Sequence, residues 1–319
     1  MHNKIYNGHL ILECIFFSIT LLVLSACDSG SSVAEHDLDD LVENNQLANS
    51  KLPRKKDNVF HFGFDLRASP QEDARQYLPF LHYLENKTGY KFTLQFTPKK
   101  SSIINILGEN RVQFAAIGAE SFIRAYKQYG VVPLVRGLNM QNKAEYQSVF
   151  VVTPESEIKN LASIQGKHLA FGSRTSTQGH LIPQIELKKA GIPLKSLASY
   201  TYTGSHFNCA NSVISAKTDV CAMQDTMARN MVERGLIRII HTSAYYPSSG
   251  IAANANVPPE VVQKVKQALV DFKPLGKDKT GLYHWDRTEM PHGFISAKVS
   301  DYDKLLNWSI QLGFIQAAK

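Results

Sequence analysis

From Val59 onward the chain alternates short apolar runs with longer segments of helical period. Repeated βα units of this kind build mostly parallel sheets with helices on both faces. Strands are expected at 59–66, 91–97, 114–117, 132–138 and 147–153, interleaved with helices at 71–88, 102–108 and 121–129. The last of these strands is long enough to cross between two lobes. A second series has helices at 158–164, 177–190, 207–216 and 226–234, with strands at 168–171, 199–203, 220–223 and 237–242. Helices at 258–272, opened by Pro258-Pro259-Glu260, and at 302–312 follow, with irregular chain between them. In open α/β sheets ligands sit at the carboxyl ends of the strands, so the loops after those strands are where chemistry is sought.

The chain has 319 residues, 44% hydrophobic and 20% charged, which excludes a wholly disordered, collagenous or polytopic membrane protein. At about 150 residues per domain the length suggests two domains. Lys plus Arg number 35 against 28 Asp plus Glu, a net charge of +7. That balance suits an anionic ligand or membrane surface, but no stretch has the density of a nucleic-acid patch, so no nucleic acid is expected.

The N-terminal segment carries Lys4 and then an apolar run ten residues long, Ile15 to Leu24, interrupted only by Ser18 and Thr20. The run is about half the length of a spanning helix. It ends in Leu24-Ser25-Ala26-Cys27, which resembles the lipobox of bacterial lipoproteins, in which the cysteine becomes the lipid-bearing first residue. Asp28 in the next position implies retention at the inner membrane. Removing residues 1–26 takes away Lys4 and Glu13 and leaves the net charge at +7. Residues 28–57 hold no aromatic side chain and cannot bury enough surface to order themselves, so 27–57 reads as a lipidated tether.

Ser176 and Thr177 stand between an expected strand and an expected helix. Their hydroxyls and the first free N–H groups of that helix therefore point to one place. A helix N-terminus also carries partial positive charge, which makes this a ready oxyanion site without metal or cofactor. A simple N-cap explains the same residues. His206, opening the next helix, can donate to an anion in the same crevice, or it is a surface histidine beside a turn. Asp225 either accepts the proton of a monoprotonated ligand or an amine, or caps the helix after it.

Taken in order, Gly166-Lys167-His168-Leu169-Ala170-Phe171, Ser176-Thr177-Gln178-Gly179 with Pro183, Gly204-Ser205-His206 and Asp219 resemble the periplasmic phosphate/phosphite/phosphonate-binding proteins of ABC importers. The resemblance runs from residue 59 to about 315 and includes Ile117-Gly118-Ala119-Glu120-Ser121-Phe122. It implies a two-lobed periplasmic-binding-protein fold of type II with two crossing hinge strands. Lobe one would be 58–150 with 243–319, and lobe two 151–242. It also implies a monomeric solute-binding lipoprotein that takes a small oxyanion in the interlobe cleft and passes it to an ABC permease, with no enzymatic role. The ligand residues it implies are Ser176, Thr177, Gln178, His206, Asp225, Arg174, Phe122 and Glu120.

Departures from the family pattern fall within this set. Gln178 replaces the third hydroxyl of S-T-S-G, Arg174 stands where proline is usual and offers a guanidinium fork, and Phe207 replaces an aspartate. Phe122 lacks the hydroxyl of the family's ligand-facing tyrosine, and another tyrosine is replaced near Lys100 or Ser101. The late aspartate that greets an aminoalkyl group is absent from Tyr245-Tyr246-Pro247-Ser248-Ser249.

A ligand-sensing lipoprotein signalling to a membrane receptor would use the same lobes. Ser176, His206 and Asp225 as a hydrolase triad would lack the G-x-S-x-G elbow. No paired histidine spacing and no C-x-x-C motif suggest a metal. Of the four cysteines, Cys14 leaves with the signal and Cys27 takes lipid, so Cys209 and Cys221 remain in an oxidising compartment. A disulfide needs Cα atoms within about 7 Å, and a helix antiparallel to the strand after it can hold them farther apart, so two buried thiols are expected in place of a disulfide.

Overall fold

Phe60, Phe62 and Phe64 recur at every second position of β1 (Val59–Phe64), and the aromatic face they make is covered by α1 (Pro70–Thr88). The computed structural model describes residues 58–64, 70–98 and 101–316. The leader, Cys27, the tether and Lys100 lie outside the described residues. The first series continues through β2 (Lys91–Phe96), α2 (Ile103–Gly108), β3 (Phe114–Ile117), α3 (Ala119–Tyr129) and β4 (Val132–Gly137). Then come β5 (Glu145–Tyr146), β6 (Ser148–Val152), β7 (His168–Phe171), α4 (Ile182–Lys189), β8 (Ser199–Tyr202), α5 (His206–Ile214), β9 (Val220–Gln224), α6 (Asp225–Glu233) and β10 (Arg238–Thr242). The chain ends with β11 (Tyr246–Pro247), β12 (Gly250–Ala253), α7 (Pro259–Val270), β13 (Phe294–Ser296) and α8 (Asp303–Gln311).

Two larger sheets result, the six-stranded β13-β4-β12-β3-β1-β2 and the five-stranded β10-β6-β9-β7-β8. Pairing is parallel where βα units build the sheets, at β1 with β2 and β3 and at β7 with β8 and β9. It is antiparallel where chain returns, at β12, β13, β6 and β10. The small antiparallel ladder of β5 with β11 lies where the chain leaves the first sheet and where it comes back, so two crossing segments join the lobes.

One core lies under α1 and α7, with Phe80 against Trp285, Phe272, Phe62 and Phe294 at centroid distances of 4.9 to 6.0 Å. Burying such a ring removes enough apolar surface that truncating Phe80 to alanine costs about 3–5 kcal/mol. On the other face of the same sheet, α2, α3 and α8 pack with Leu181, Ile182 and Ile185, so the segment that opens α4 is wedged against the first lobe.

Several expectations need correction. The helix expected at 158–164 is a single 3-10 turn, Leu161–Ile164, started by the Asn160 side chain. The helix expected at 177–190 begins as a π-type turn, Thr177–Leu181, and becomes α-helical at Ile182. Pro183 is the reason: it has no N–H to give to Gly179 O, which instead accepts from Gly172 N at 2.9 Å. The turn closes by wider bonds, Leu181 N to Ser176 O and Ile182 N to Thr177 O. β12 answers to no strand signal in the sequence, and β13 lies in the chain of irregular pattern between the last two helices. Gly250-Ile251-Ala252-Ala253 gives no alternation because all four residues are buried, and it fits between β3 and β4 only because Gly250 has no side chain. A Cβ there would stand 1.9 Å from Val135 O. Finally, Cys209 and Cys221 form a disulfide, since α5 crosses β9 closely enough to bring the Cα atoms to 5.5 Å.

Behind the crossing segments, Glu186 of α4 accepts from His241 Nε2 at 3.0 Å and Lys189 Nζ at 2.9 Å, and Lys189 also donates to Tyr246 OH at 3.0 Å. This ties α4 to β10 and β11.

Two outcomes follow from this packing. Alkylation of the denatured protein should trap two more thiols after reduction than before it, and Cys209→Ala should lower stability by about 2–3 kcal/mol for a loop this short. If reduction exposes no further thiol, the bond is absent. Burial alone would raise the Glu186 carboxyl, but the hydrogen bonds from His241 and Lys189 outweigh it and hold its pKa below the ordinary 4.5. A depressed carboxylate stabilises the fold above that value and stops doing so as pH falls through its lowered pKa. The stability gap between the wild type and Glu186→Gln, followed by circular dichroism, should therefore shrink as pH falls below about 4.5. A gap that widens on acidification contradicts this assignment.

Candidate functional site

Four helical segments start at the edge of one cavity of about 230 Å³. Their N-cap residues are Gly118 for α3, Ser176 for the π-type turn, Ser205 for α5 and Gln224 for α6, and all four line it. The first N–H groups of a helix have no partner within the helix, and Gly118 and Gln224 supply no side-chain cap. The cavity is thus edged by helix starts and by the positive ends of several peptide dipoles, with the Glu120 N–H of α3 held by a side chain from outside its own helix. The lining also includes Asp73, Gln76 and Tyr77 of α1, and Arg287, Thr288 and Glu289.

Ser176 caps its own turn: its Oγ accepts from Gly179 N at 2.9 Å. It also stands 3.4 Å from His206 Nε2. His206 Nδ1 accepts from Gln224 N at 3.3 Å, which leaves the proton of a neutral ring on Nε2. Ser176 Oγ then takes hydrogen bonds from both sides, and its own proton is left for something in the cavity. Glycine at position 179 keeps this space open, because a Cβ would come within 2.9 Å of His206 Cε1 and 3.0 Å of Ser176 Oγ.

The other expected ligand residues divide. Thr177 lines the cavity, and its Oγ1 accepts from Glu120 N at 2.8 Å, a bond from one lobe to the other. Gln178 lines it too, yet its amide donates to Gln147 O at 2.8 Å and Asp225 Oδ1 at 3.1 Å. Its carbonyl accepts from Ser148 Oγ at 2.6 Å, so this residue grips the crossing segment. Asp225 is not in the lining; burial pushes its carboxyl up, offset in part by Arg229. Arg174 is exposed and stacks on Tyr202 at 4.0 Å, outside the cavity. Phe122 is in the core against Tyr302 at 4.5 Å, and Glu120 is fully buried, bonded to Arg124 at 2.7 Å with His180 at 3.7 Å. Asp219 holds the start of β7 through His168 N at 2.7 Å, a structural role.

Ser176, His206 and Asp225 do not form a triad here. His206 Nδ1 accepts from a backbone N–H, and Asp225 bonds to Gln178. Ser173, Thr175, Gln224, Tyr77 and Tyr146 also line the cavity with no mark in the sequence, as does Ser205, which the sequence shows only within Gly204-Ser205-His206. A helix-start signal was available for Ser205. None was available for Arg287 to Glu289, which sit in chain without periodicity.

Residues 62–302 match the family model described as "ABC transporter, phosphonate, periplasmic substrate-binding protein". The phosphonates-binding periplasmic protein of Escherichia coli K12 is 24% identical over 237 residues, 72% of this chain and 70% of that protein. The probable ABC transporter phosphite binding protein PhnD1 of Prochlorococcus marinus MIT 9301 is 26% identical over 191 residues, 56% of this chain and 58% of that one. The solved structure of PhnD1 with methylphosphonate superposes with a TM-score of 0.72 at 16% identity, covering 81% of this chain and 99% of that chain. The family is one of binding proteins that serve membrane transporters from the periplasm, and it is not an enzyme family. With a match that runs through both sheets and around the cavity, the chain belongs to the phosphonate periplasmic substrate-binding proteins of ABC transporters.

Proposed function

We propose that this protein captures a small oxyanion of the phosphate, phosphite or phosphonate class in the cavity and presents it to an ABC permease from a lipid anchor on Cys27. Its place would be the periplasmic face of the inner membrane. The observation that carries this reading is the convergence of four N-cap residues on one cavity, with the Ser176 hydroxyl as a donor and His206 Nε2 bonded behind it to commit its proton. Three or four hydrogen bonds to a charged oxygen, each worth about 1.5–3 kcal/mol, support micromolar binding, about −8.2 kcal/mol. In this reading residues 58–150 and 243–319 move as one lobe and 151–242 as the other. Closure is favoured by ligand because only then do donors of α3 and of the lobe-two helices reach the same anion.

Calorimetry with phosphate, phosphite and methylphosphonate, guided by mass spectrometry of any ligand released from the purified protein, tests the reading. Ser176→Ala and His206→Ala should each weaken binding by roughly ten- to a hundredfold. Loss of its capping bond should cost Ser176→Ala about 1 kcal/mol of stability as well. Affinity left intact in both variants would reduce the loop to a helix start.

The anchor is tested separately. Wild-type protein should partition into detergent, and Cys27→Ser should be unprocessed or remain in the aqueous phase. Equal partitioning of the two would remove the lipid from the account.

A further inference from the structure

Tyr146 is the second residue of β5, on the first crossing segment, and it lines the cavity. It is 6% exposed, and its hydroxyl is enclosed with no hydrogen-bond partner among the described residues. The Thr177 hydroxyl and the Ala119 N–H both stand toward it, with no bond closed to either. Burial, reinforced by the charge of Glu289, holds the phenol well above its ordinary pKa, so it keeps its proton throughout the physiological range. A buried donor without a partner is uncommon in a native structure and calls for a reason.

The hydrogen-bond capacity of Thr177 supplies one. A hydroxyl has one proton to give and two lone pairs to fill. The Glu120 N–H already occupies one lone pair of Thr177 Oγ1, at 2.8 Å. A bond from Tyr146 would occupy the second and leave the Thr177 proton free to point only at an outside acceptor. We propose that Tyr146 is a positioning residue for the ligand: in the bound state its hydroxyl donates to Thr177 Oγ1 and commits the Thr177 proton to the anion in the cavity. This rests on the oxyanion reading above. Tyr146 belongs to a crossing segment, and Thr177 is bonded to the first lobe through Glu120, so the same bond makes anion binding and closure favour each other.

The test uses the full chain, with methylphosphonate, phosphite and inorganic phosphate as probes in calorimetry, alongside thermal melts without ligand. Tyr146→Phe should bind the best of the three about tenfold more weakly, the worth of one hydrogen bond, while its unliganded melting temperature stays that of the wild type. The same substitution should cost as much in Thr177→Ser, which keeps the hydroxyl, and nothing further in Thr177→Val. Equal affinity of Tyr146→Phe and wild type overturns the proposal, as does a fall in melting temperature with affinity intact. Losses that simply add in the Thr177→Val background overturn it too. If the wild type binds none of the probes, the oxyanion reading falls and takes this proposal with it. If it binds them and is indifferent to Tyr146, this proposal alone fails.

Discussion

A helix cannot satisfy its own first N–H groups, and this protein places that deficit from four separate segments around one space. The sheets supply the geometry, since each βα unit ends its strand and starts its helix at the same edge. β3 leads into α3 through Gly118, and β9 leads into α6 through Gln224, without a side-chain cap at either place. At α3 the Glu120 N–H that a cap would take is held instead by Thr177 Oγ1, and at α6 the Asp225 N–H reaches Gln147 O, so these helix starts are tied to the loop and the crossing segment at the rim of the cavity. Net charge adds little to this, because the field that matters is made by oriented peptides within a few ångströms of the site.

The loop from Ser176 to Leu181 serves more than one partner. Pro183 denies it an ordinary helical start, so it opens wide, and the freed carbonyl of Gly179 docks on Gly172. That contact sets the turn beside His206, and the absence of a side chain at residue 179 leaves room between His206 and Ser176. One side of the loop thus faces the cavity, while Thr177 and Gln178 hold it to the opposite lobe and to the crossing segment. Ser176 is both cap and cavity residue, so capping and binding are compatible roles for one hydroxyl.

The crossing segments are more heavily tied than a bare hinge requires. Ser148 takes the side chain of Ser243 on its N–H, Gln147 reaches Ser243 O, and Glu186 and Lys189 hold the rear of the same region. These bonds join residues far apart in sequence, so a displacement of the loop is felt at both crossings. Where the family pattern has a third hydroxyl, Gln178 has sufficient length to reach Gln147 and Asp225. The position has thereby turned from the ligand side toward the crossing.

The sequence carries the alternation of strands and helices and the helix starts at Ser176 and His206, because hydrophobic period and capping chemistry are local, while the two-lobed class is legible only through the ordered motifs of the family resemblance. The structure alone decided the rest, for reasons that lie between distant residues. β12 is invisible to periodicity because it is buried on both faces, and its fit depends on Val135 approaching a glycine. Arg174 has the chemistry of an anion ligand, yet stacks on Tyr202, a residue on a neighbouring strand. Glu120 and Phe122 sit within a motif of the cleft but turn into the core, where the helical twist of α3 directs them. Cys209 and Cys221 meet because of how closely α5 crosses β9, a distance that spacing in the chain does not fix. Tyr146 enters the cavity only through the path of the crossing segment, which no local pattern records.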